Sequence, residues 1–325
     1  MRMPVRSKCV LTALAIATLG LTSAHGQEYP TREIRFVCVT PPGTGADVFV
    51  RYFAEKVKQL SGKTIIVENK AGAGGTIAME YVARAKPDGH TVLLHAGGSV
   101  AGSKWLYKKP PFPDAGSALQ VVATINRQAF MLAVDGKSPY KTLAELTTAM
   151  KAKGDKASYF TVSHTGTVMG ELYKAATGVK AVEVGYKSAN DALNDLASGA
   201  LDYSTNEPVF SLSQHRAGRL RILGVSTGER LKSVPELPTM AEQGVPMDFI
   251  IWWAAMVPAG TPRPIVDQLN KWFVQVVGSE ETRKFLANFG GDPLIETLEQ
   301  GQARLVKDIE IWKNYTIVAK IVPQG

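Results

Sequence analysis

Three loops rich in glycine and hydroxyl residues carry the types that could bind a ligand. The first, Pro41–Asp47 (PPGTGAD), lies between an apolar run and a helical pattern. Such a loop presents backbone N–H groups at the positive end of a helix, which suits an anion. The same residues would also suit a tight strand-to-helix turn without a ligand, with Asp47 as the helix cap, so both interpretations stay open. Neither a Gly-Lys-Ser/Thr ending nor G-x-G-x-x-G spacing is present, which argues against a nucleotide-phosphate loop.

The other two loops also follow predicted strands. Glu68–Gly75 (ENKAGAGG) lacks a third glycine in the frame of a dinucleotide fingerprint, which favours a packing turn. Ser163–Thr167 (SHTGT) opens a helix, and its three hydroxyls could hydrogen-bond a carboxylate; simple capping by Thr165 or Thr167 is the alternative. Ser163 and His164 are chain neighbours without a G-x-S-x-G elbow, which disfavours a nucleophile–base pair.

No other constellation predicts catalysis or metal binding. The histidines show neither H-x-x-H nor H-E-x-x-H spacing. Of the two cysteines, Cys9 lies in the N-terminal segment and Cys38 within the apolar run Ile34–Val39, where we expect it to be buried. We therefore expect no catalytic residue, no metal and no cofactor. In the apolar Trp252-Trp253 pair, core packing is the default, and one indole lining a ligand cleft is the alternative.

The elements that position these loops alternate between strands and helices. Ile34–Val39, Lys63–Val67 and Thr91–Leu94 read as strands, separated by helical patterns at Val48–Leu60 and Thr76–Ala85. This rhythm continues to the C-terminus and predicts α/β architecture with mainly parallel sheets flanked by helices. At 325 residues, the chain is long enough for about two domains. Because no linker separates them, we expect two lobes joined by crossing strands, near 125–127 and 248–253.

The N-terminus predicts export. Met1–Gly26 has a basic start, an uncharged apolar stretch and a small-residue ending, as in a cleaved signal peptide, and its apolar run is too short to span a membrane. Cleavage near Gly26 would place the mature chain in the periplasm. The loss of Arg2, Arg6 and Lys8 would reduce the formal charge from +8 to +5. The remaining basic residues are scattered, so we expect no nucleic-acid partner.

An ordered set of short motifs resembles the Bug-type periplasmic receptors of tripartite tricarboxylate transporters. These motifs are Pro41–Asp47, Val67–Gly75, Lys86–Thr91, Leu106–Lys109, Gly185–Lys187, Gly199–Asp202, Val234–Thr239 and Pro258–Pro262. The resemblance extends from Tyr29 to the C-terminus.

This resemblance implies a type II periplasmic-binding-protein fold, in which two α/β lobes close on a small carboxylate. The implied boundaries are 1–26 for the signal peptide, 27–126 for the first part of lobe 1, 127–248 for lobe 2 and 249–325 for the return to lobe 1. The implied ligand contacts are Pro42, Gly43, Thr44, Gly45, Ala46, Asp47, Ser99, Ser163, Thr165, Gly166, Thr167, Tyr186, Asn206, Glu207 and Trp252. Tyr186 and Lys187 would flank the cleft.

The implied function is non-enzymatic capture of a di- or tricarboxylate, amino acid or aromatic acid by a monomer that serves membrane permease subunits. A ligand sensor docking onto a membrane signalling partner is the alternative. Three departures affect the ligand: a shortened second-lobe loop, Ile250-Ile251 in place of small residues, and Thr205-Asn206-Glu207 in place of Phe-Asp-Asn. Glu207 would either add a negative charge near the cleft, paired with a base such as Lys187, or face solvent at a helix start.

Overall fold

The computed structural model describes residues 29–186 and 188–323, so the predicted signal peptide and Lys187 lie outside the described residues. From Arg32 onward these residues form one compact unit. The strands are β1 (Ile34–Cys38), β2 (Ile65–Asn69), β3 (Thr91–Ala96), β4 (Leu119–Ala129), β5 (Met131–Asp135), β6 (Ser158–Thr161), β7 (Val182–Gly185), β8 (Tyr203–Asn206), β9 (Leu220–Val225), β10 (Ile250–Pro258) and β11 (Gly291–Pro293).

Helices follow most of these strands. They are α1 (Gly45–Ser61), α2 (Thr76–Ala83), α3 (Gly97–Leu106), α4 (Ala115–Ala118), α5 (Leu143–Lys153), α6 (His164–Thr177), α7 (Ala189–Ala197), α8 (Pro208–Arg216), α9 (Arg263–Val277), α10 (Glu280–Asn288) and α11 (Leu298–Val318). Short 3₁₀ turns occupy Ala73–Gly75, Gly154–Lys156 and Ala241–Gln243.

The strands form two sheets, which confirms the two-lobed α/β fold. The first has the order β11-β4-β10-β3-β1-β2 and the second the order β7-β6-β8-β5-β9. Each sheet is mixed rather than mainly parallel. The triplets β2-β1-β3 and β7-β6-β8 are parallel, whereas β4, β10, β5 and β9 pair antiparallel to their neighbours. Strand β10 accounts for much of this difference in the first sheet, since it lies between β3 and β4 and runs antiparallel to both.

The chain passes between the sheets over very few residues. Strand β4 continues to Ala129 and β5 begins at Met131, so the outward crossing lies at Phe130, beyond the expected 125–127. Phe130 is buried, and its N–H donates to the Ser226 hydroxyl, which itself donates to the Phe249 carbonyl. These bonds join the crossing to the segment that returns to β10. The lobe boundaries themselves stay a prediction.

Local sequence explains where the helices begin. Thr142 and Glu145 form the predicted capping box of α5. The cap of α1 is Thr44 rather than the predicted Asp47, because the Thr44 hydroxyl accepts the Asp47 N–H. The cap of α6 is Ser163, whose hydroxyl accepts the Gly166 N–H, rather than a threonine. Cys38 is buried, as expected.

Candidate functional site

A cavity of about 460 Å³ lies where the carboxyl ends of strands from both sheets meet. Its lining residues are Val39, Thr40, Thr44, Gly45, Ala46, Phe49, His95, Ala96, Gly98, Ser99, Gln128, Phe130, Ser163, Thr165, Glu207, Pro208, Val209, Ile251, Trp253, Phe289 and Trp312. Ligands of open α/β sheets bind at this end of the strands. None of the described residues that line it is a lysine or an arginine.

Four helices begin at this cavity, two from each sheet. Helices α1 and α3 follow β1 and β3, which are parallel neighbours, and α6 and α8 follow the parallel neighbours β6 and β8. The first N–H groups of a helix have no partner within the helix, and the helix dipole adds positive potential there. The cavity therefore offers hydrogen-bond donors and positive potential although none of its described lining residues is a lysine or an arginine.

In the first lobe, Asp47 stabilises the loop before α1 without lining the cavity itself. Its buried carboxylate accepts hydrogen bonds from the Arg51 guanidinium (2.9 Å), the Asn69 amide (2.7 Å) and the Gly43 N–H (2.9 Å). The Arg51 contact, supported by the other two donors, lowers the pKa of Asp47 to about 2. Asp47 thereby holds the turn that brings Gly45 and Ala46 to the cavity wall.

The start of α3 depends on glycine. A Cβ on Gly97 would lie 2.2 Å from the Trp252 ring, and one on Gly98 would lie 2.8 Å from the Trp312 indole nitrogen. Only glycine allows this close approach between the helix and the two indoles. Ser99, on the following position, lines the cavity.

In the second lobe, Gly166 holds the first turn of α6 close to the sheet. Its carbonyl accepts the Thr205 hydroxyl at 2.9 Å. A Cβ at this position would lie 1.8 Å from the Thr161 hydroxyl oxygen and 2.7 Å from the Thr205 carbonyl oxygen. This packing leaves Ser163 and Thr165 on the cavity wall.

Helix α8 differs from the other three because its N-terminus already holds a carboxylate. The Glu207 side chain accepts the N–H groups of Val209 (2.7 Å) and Phe210 (2.8 Å) and also lines the cavity. Burial raises the pKa of Glu207, and the two N–H donors oppose this effect in part. Glu207 is thus a cap at a helix start, but it lines the cavity rather than facing solvent as one alternative held.

Aromatic side chains form much of the remaining wall. Phe49 packs against Trp253 with ring centroids 4.6 Å apart and against Phe289 at 5.8 Å. The Gln128 amide donates to the Phe289 carbonyl at 2.7 Å, which holds this wall to β4. His95, on β3, faces the same cavity.

Several predicted ligand contacts lie outside the cavity lining. Among them, Pro42 and Gly43 are exposed in the turn before α1, Asp47 is buried, and Gly166 is buried in the first turn of α6. The Thr167 hydroxyl donates to Glu183 at 2.9 Å, and the Tyr186 hydroxyl donates to Asp195.

Asn206 and Trp252 require the clearest corrections. Asn206 is fully buried on β8 and does not line the cavity. The Trp252 indole N–H donates to Asp308 at 2.6 Å, and the ring lines a different groove, along α11. Trp253 lies in the cavity instead, because neighbouring residues of a strand point to opposite faces of the sheet.

Sequence reasoning missed His95, Trp253, Phe49, Phe289, Gln128 and Trp312. Alternation would have separated Trp253 from Trp252 and singled out His95 only if the predicted strands had been extended over these residues, as β10 and β3 are in the structure. The two phenylalanines gave no local signal, because their position follows from helix packing.

Within residues 29–186 and 188–323, no cluster of histidine, cysteine or acidic side chains could hold a metal ion. In the same part of the chain, no helix combines the length and the apolar character needed to cross a bilayer.

Comparison with known proteins gives one consistent family. Residues 49–322 match the tripartite tricarboxylate transporter family receptor. Protein BugT of Bordetella pertussis is 29% identical over 304 residues, covering 91% of this chain and 92% of BugT. A protein from the tcbD-tcbE intergenic region of Pseudomonas sp. strain P51 is also 29% identical, over 86% of this chain and 83% of its own length.

Solved structures agree with this family. The R. palustris protein Rpa4515, determined with adipate, has a TM-score of 0.80 and 28% identity, covering 91% of this chain and 99% of that one. MatC from Rhodopseudomonas palustris, with bound malate, has a TM-score of 0.73 and 25% identity over 88% of this chain and 99% of MatC. With a family match across most of its length and the same two-lobed fold, this chain belongs to the Bug-type tripartite tricarboxylate transporter receptor family.

Proposed function

We propose that this protein is a periplasmic solute-binding protein that captures a small carboxylate between its lobes and delivers it to a tripartite tricarboxylate-type transporter. The observation that carries the proposal is the meeting of three helix N-termini in one cavity, where α1 and α6 are capped only by a neutral hydroxyl, α3 has no side-chain cap, and none of the described lining residues is a lysine or an arginine. Each helix end stabilises an anion by about 0.3–2 kcal/mol, and direct hydrogen bonds add to this.

The proposed carboxylate contacts are the hydroxyls and N–H groups that reach the cavity. On the first lobe they come from Thr44, Gly45, Ala46 and Ser99, and on the second from Ser163 and Thr165. A carboxylate with contacts on both lobes would tie them together in the closed state. The cavity volume of about 460 Å³ suits a small organic acid. The family relatives determined with adipate and with malate support this ligand class.

A non-enzymatic role fits the state of the polar groups at the site. The Ser163 hydroxyl is engaged as the cap of α6, and the His164 ring packs edge-on against Tyr107 with centroids 6.2 Å apart. These two residues therefore do not form a nucleophile–base pair with each other.

The decisive test compares acids with their neutral amides by calorimetry, using benzoate against benzamide and adipate against adipamide. We expect the acid of at least one pair to bind at least tenfold more tightly, because the amide lacks the charge that the helix ends stabilise. Equal affinity of acid and amide in every pair would contradict the proposal.

Two threonines on the first turns of α6 give a matched pair of variants. Thr165→Val removes a cavity hydroxyl and should weaken carboxylate binding, whereas Thr167→Val removes a hydroxyl bonded to Glu183 outside the cavity and should leave affinity unchanged. Equal effects of the two substitutions would place the carboxylate elsewhere.

The location and the transport step need separate tests in cells. Intact-mass analysis of a periplasmic extract should show a mature chain starting near Gln27, and a product that keeps Met1 would exclude cleavage. Deletion of the gene should abolish uptake of the acid that the purified protein binds; unchanged uptake would argue against the transport role.

A further inference from the structure

His95 is an unsatisfied polar side chain in the cavity wall. It lies next to the last residue of β3, and 8% of its surface is exposed. Within the described part of the chain, neither Nδ1 nor Nε2 has a hydrogen-bond partner. The ring is among the residues that line the cavity, and its two nitrogens are buried in the cavity wall.

The surroundings of His95 are apolar or aromatic. Its ring meets the Trp253 ring edge-on, with centroids 6.0 Å apart, and its strand neighbour across the pairing is Ala254. Gly75 approaches Nε2 closely, since a Cβ there would lie 3.6 Å from this nitrogen. Because burial lowers the pKa of His95 to about 4, the imidazole is neutral at ordinary pH. It offers one N–H donor and one lone-pair acceptor.

A buried polar atom without a partner costs free energy, so the ring nitrogens of His95 do not by themselves stabilise the fold. A phenylalanine would fill the same space without this cost. A bound molecule that forms a hydrogen bond with a ring nitrogen of His95 would remove this cost.

The partner is better matched by an uncharged group than by a second carboxylate. A carboxylate can only accept, so it would satisfy only a nitrogen that carries the proton. A hydroxyl both donates and accepts, so it suits either tautomer. Glu207, whose carboxylate occupies the start of α8 in the same cavity, further disfavours a second negative charge there.

We propose that His95 is a specificity-determining residue that hydrogen-bonds a hydroxyl group of the bound acid. The preferred ligand is therefore a hydroxylated carboxylate rather than the plain acid of the same size and charge. This inference rests on the proposed function, in which the carboxylate of the same ligand binds at the helix N-termini.

The test uses two pairs of acids that differ by one hydroxyl: malate against succinate, and 4-hydroxybenzoate against benzoate. We expect the wild-type protein to bind the hydroxylated member of at least one pair about tenfold more tightly. In His95→Phe this preference should disappear, with the plain acid bound as well as before. His95→Asn, which keeps a donor and an acceptor, should restore part of it, and His215→Phe, on α8 outside the cavity lining, should leave it intact.

A measurement on the unmodified protein keeps the test valid if His95→Phe does not fold. In nitrogen NMR of histidine-labelled protein, the His95 ring resonances should shift on addition of the hydroxylated acid and move far less with its plain partner.

The outcomes separate this inference from the proposed function. If wild-type protein binds carboxylates without preferring a hydroxylated member, or if His95→Phe keeps the preference, the role of His95 is refuted while carboxylate capture stands. If the acids bind no better than their amides, the proposed function fails, and this inference fails with it.

Discussion

The most demanding prediction about the site concerns Gly166, because this residue sets the position of α6 against the sheet. In Gly166→Ala the new methyl group would lie 2.7 Å from the Thr205 carbonyl oxygen and 1.8 Å from the Thr161 hydroxyl oxygen. The hydroxyl can rotate away, but the backbone carbonyl cannot. Restoring an ordinary contact of 3.4 Å to that carbonyl requires the first turn of α6 to move by about 0.7 Å.

This displacement has a cost in stability and in binding. Overpacking of this kind costs about 1–3 kcal/mol, and the better helix propensity of alanine offsets at most about 1 kcal/mol. We therefore expect a net loss of about 1–2 kcal/mol in the free energy of unfolding. The same movement withdraws Ser163 and Thr165 from the ligand carboxylate, so affinity for a bound acid should fall about tenfold.

Urea unfolding and calorimetry with the same acid measure the two effects. Gly185→Ala is the matched control, since no heavy atom of the described residues lies within 4 Å of its added methyl group, and it should change stability by less than about 0.5 kcal/mol. Adding Thr161→Ala to Gly166→Ala should recover part of the loss, because it removes one of the two obstructing oxygens. A Gly166→Ala protein as stable and as tightly binding as wild type would refute this account of the loop.

Three further predictions concern single side chains. The pKa of Asp47 is lowered from 3.8 to about 2 in the folded protein, so its carboxylate stabilises the fold above about pH 4, and this contribution disappears as the pH falls toward 2. Asp47→Asn should therefore lower the free energy of unfolding in urea by about 2 kcal/mol at neutral pH. The difference in this free energy between the variant and wild type should shrink as the pH falls from about 4 to about 2. A difference that stays constant with pH would contradict the ion pair. Glu207→Gln removes a buried negative charge from the cavity wall and should strengthen binding of dicarboxylates relative to monocarboxylates of similar size in calorimetry, whereas an unchanged ratio would place the charge out of reach of the ligand. Trp253→Ala should weaken ligand binding by enlarging the cavity. Trp252→Ala should mainly lower the melting temperature, since Trp252 is fully buried and bonded to Asp308. If Trp252→Ala weakened binding and Trp253→Ala lowered only the melting temperature, the assignment of Trp253 to the site would be excluded.

The helices that carry the binding loops differ in how far their sequence reveals them. Helix α1 is predictable because a turn sequence precedes a periodic apolar face, and Phe53 and Val57 of that face are buried. Helix α3 escapes such reasoning because it begins with two glycines, which are poor helix formers. Its start is stabilised by contact with Trp252 and Trp312, residues that lie far along the chain.

The sequence by itself determined that the loops at Pro41–Asp47 and Ser163–Thr167 present helix N-termini. Glycine and hydroxyl residues directly after a strand act through turn and capping rules that operate within a few residues. The same local rules identified the first-lobe loop and the loop at Ser163, and the order of the short motifs identified the family.

Only the tertiary structure decided which side chains face the cavity and in what state. Asp47 is bonded to Arg51 and Asn69, Trp253 rather than Trp252 enters the cavity, and His95 has no hydrogen-bond partner among the described residues. The physical reason is that the burial, the desolvation and the orientation of a side chain depend on contacts between segments that are distant in sequence, and no local pattern encodes those contacts.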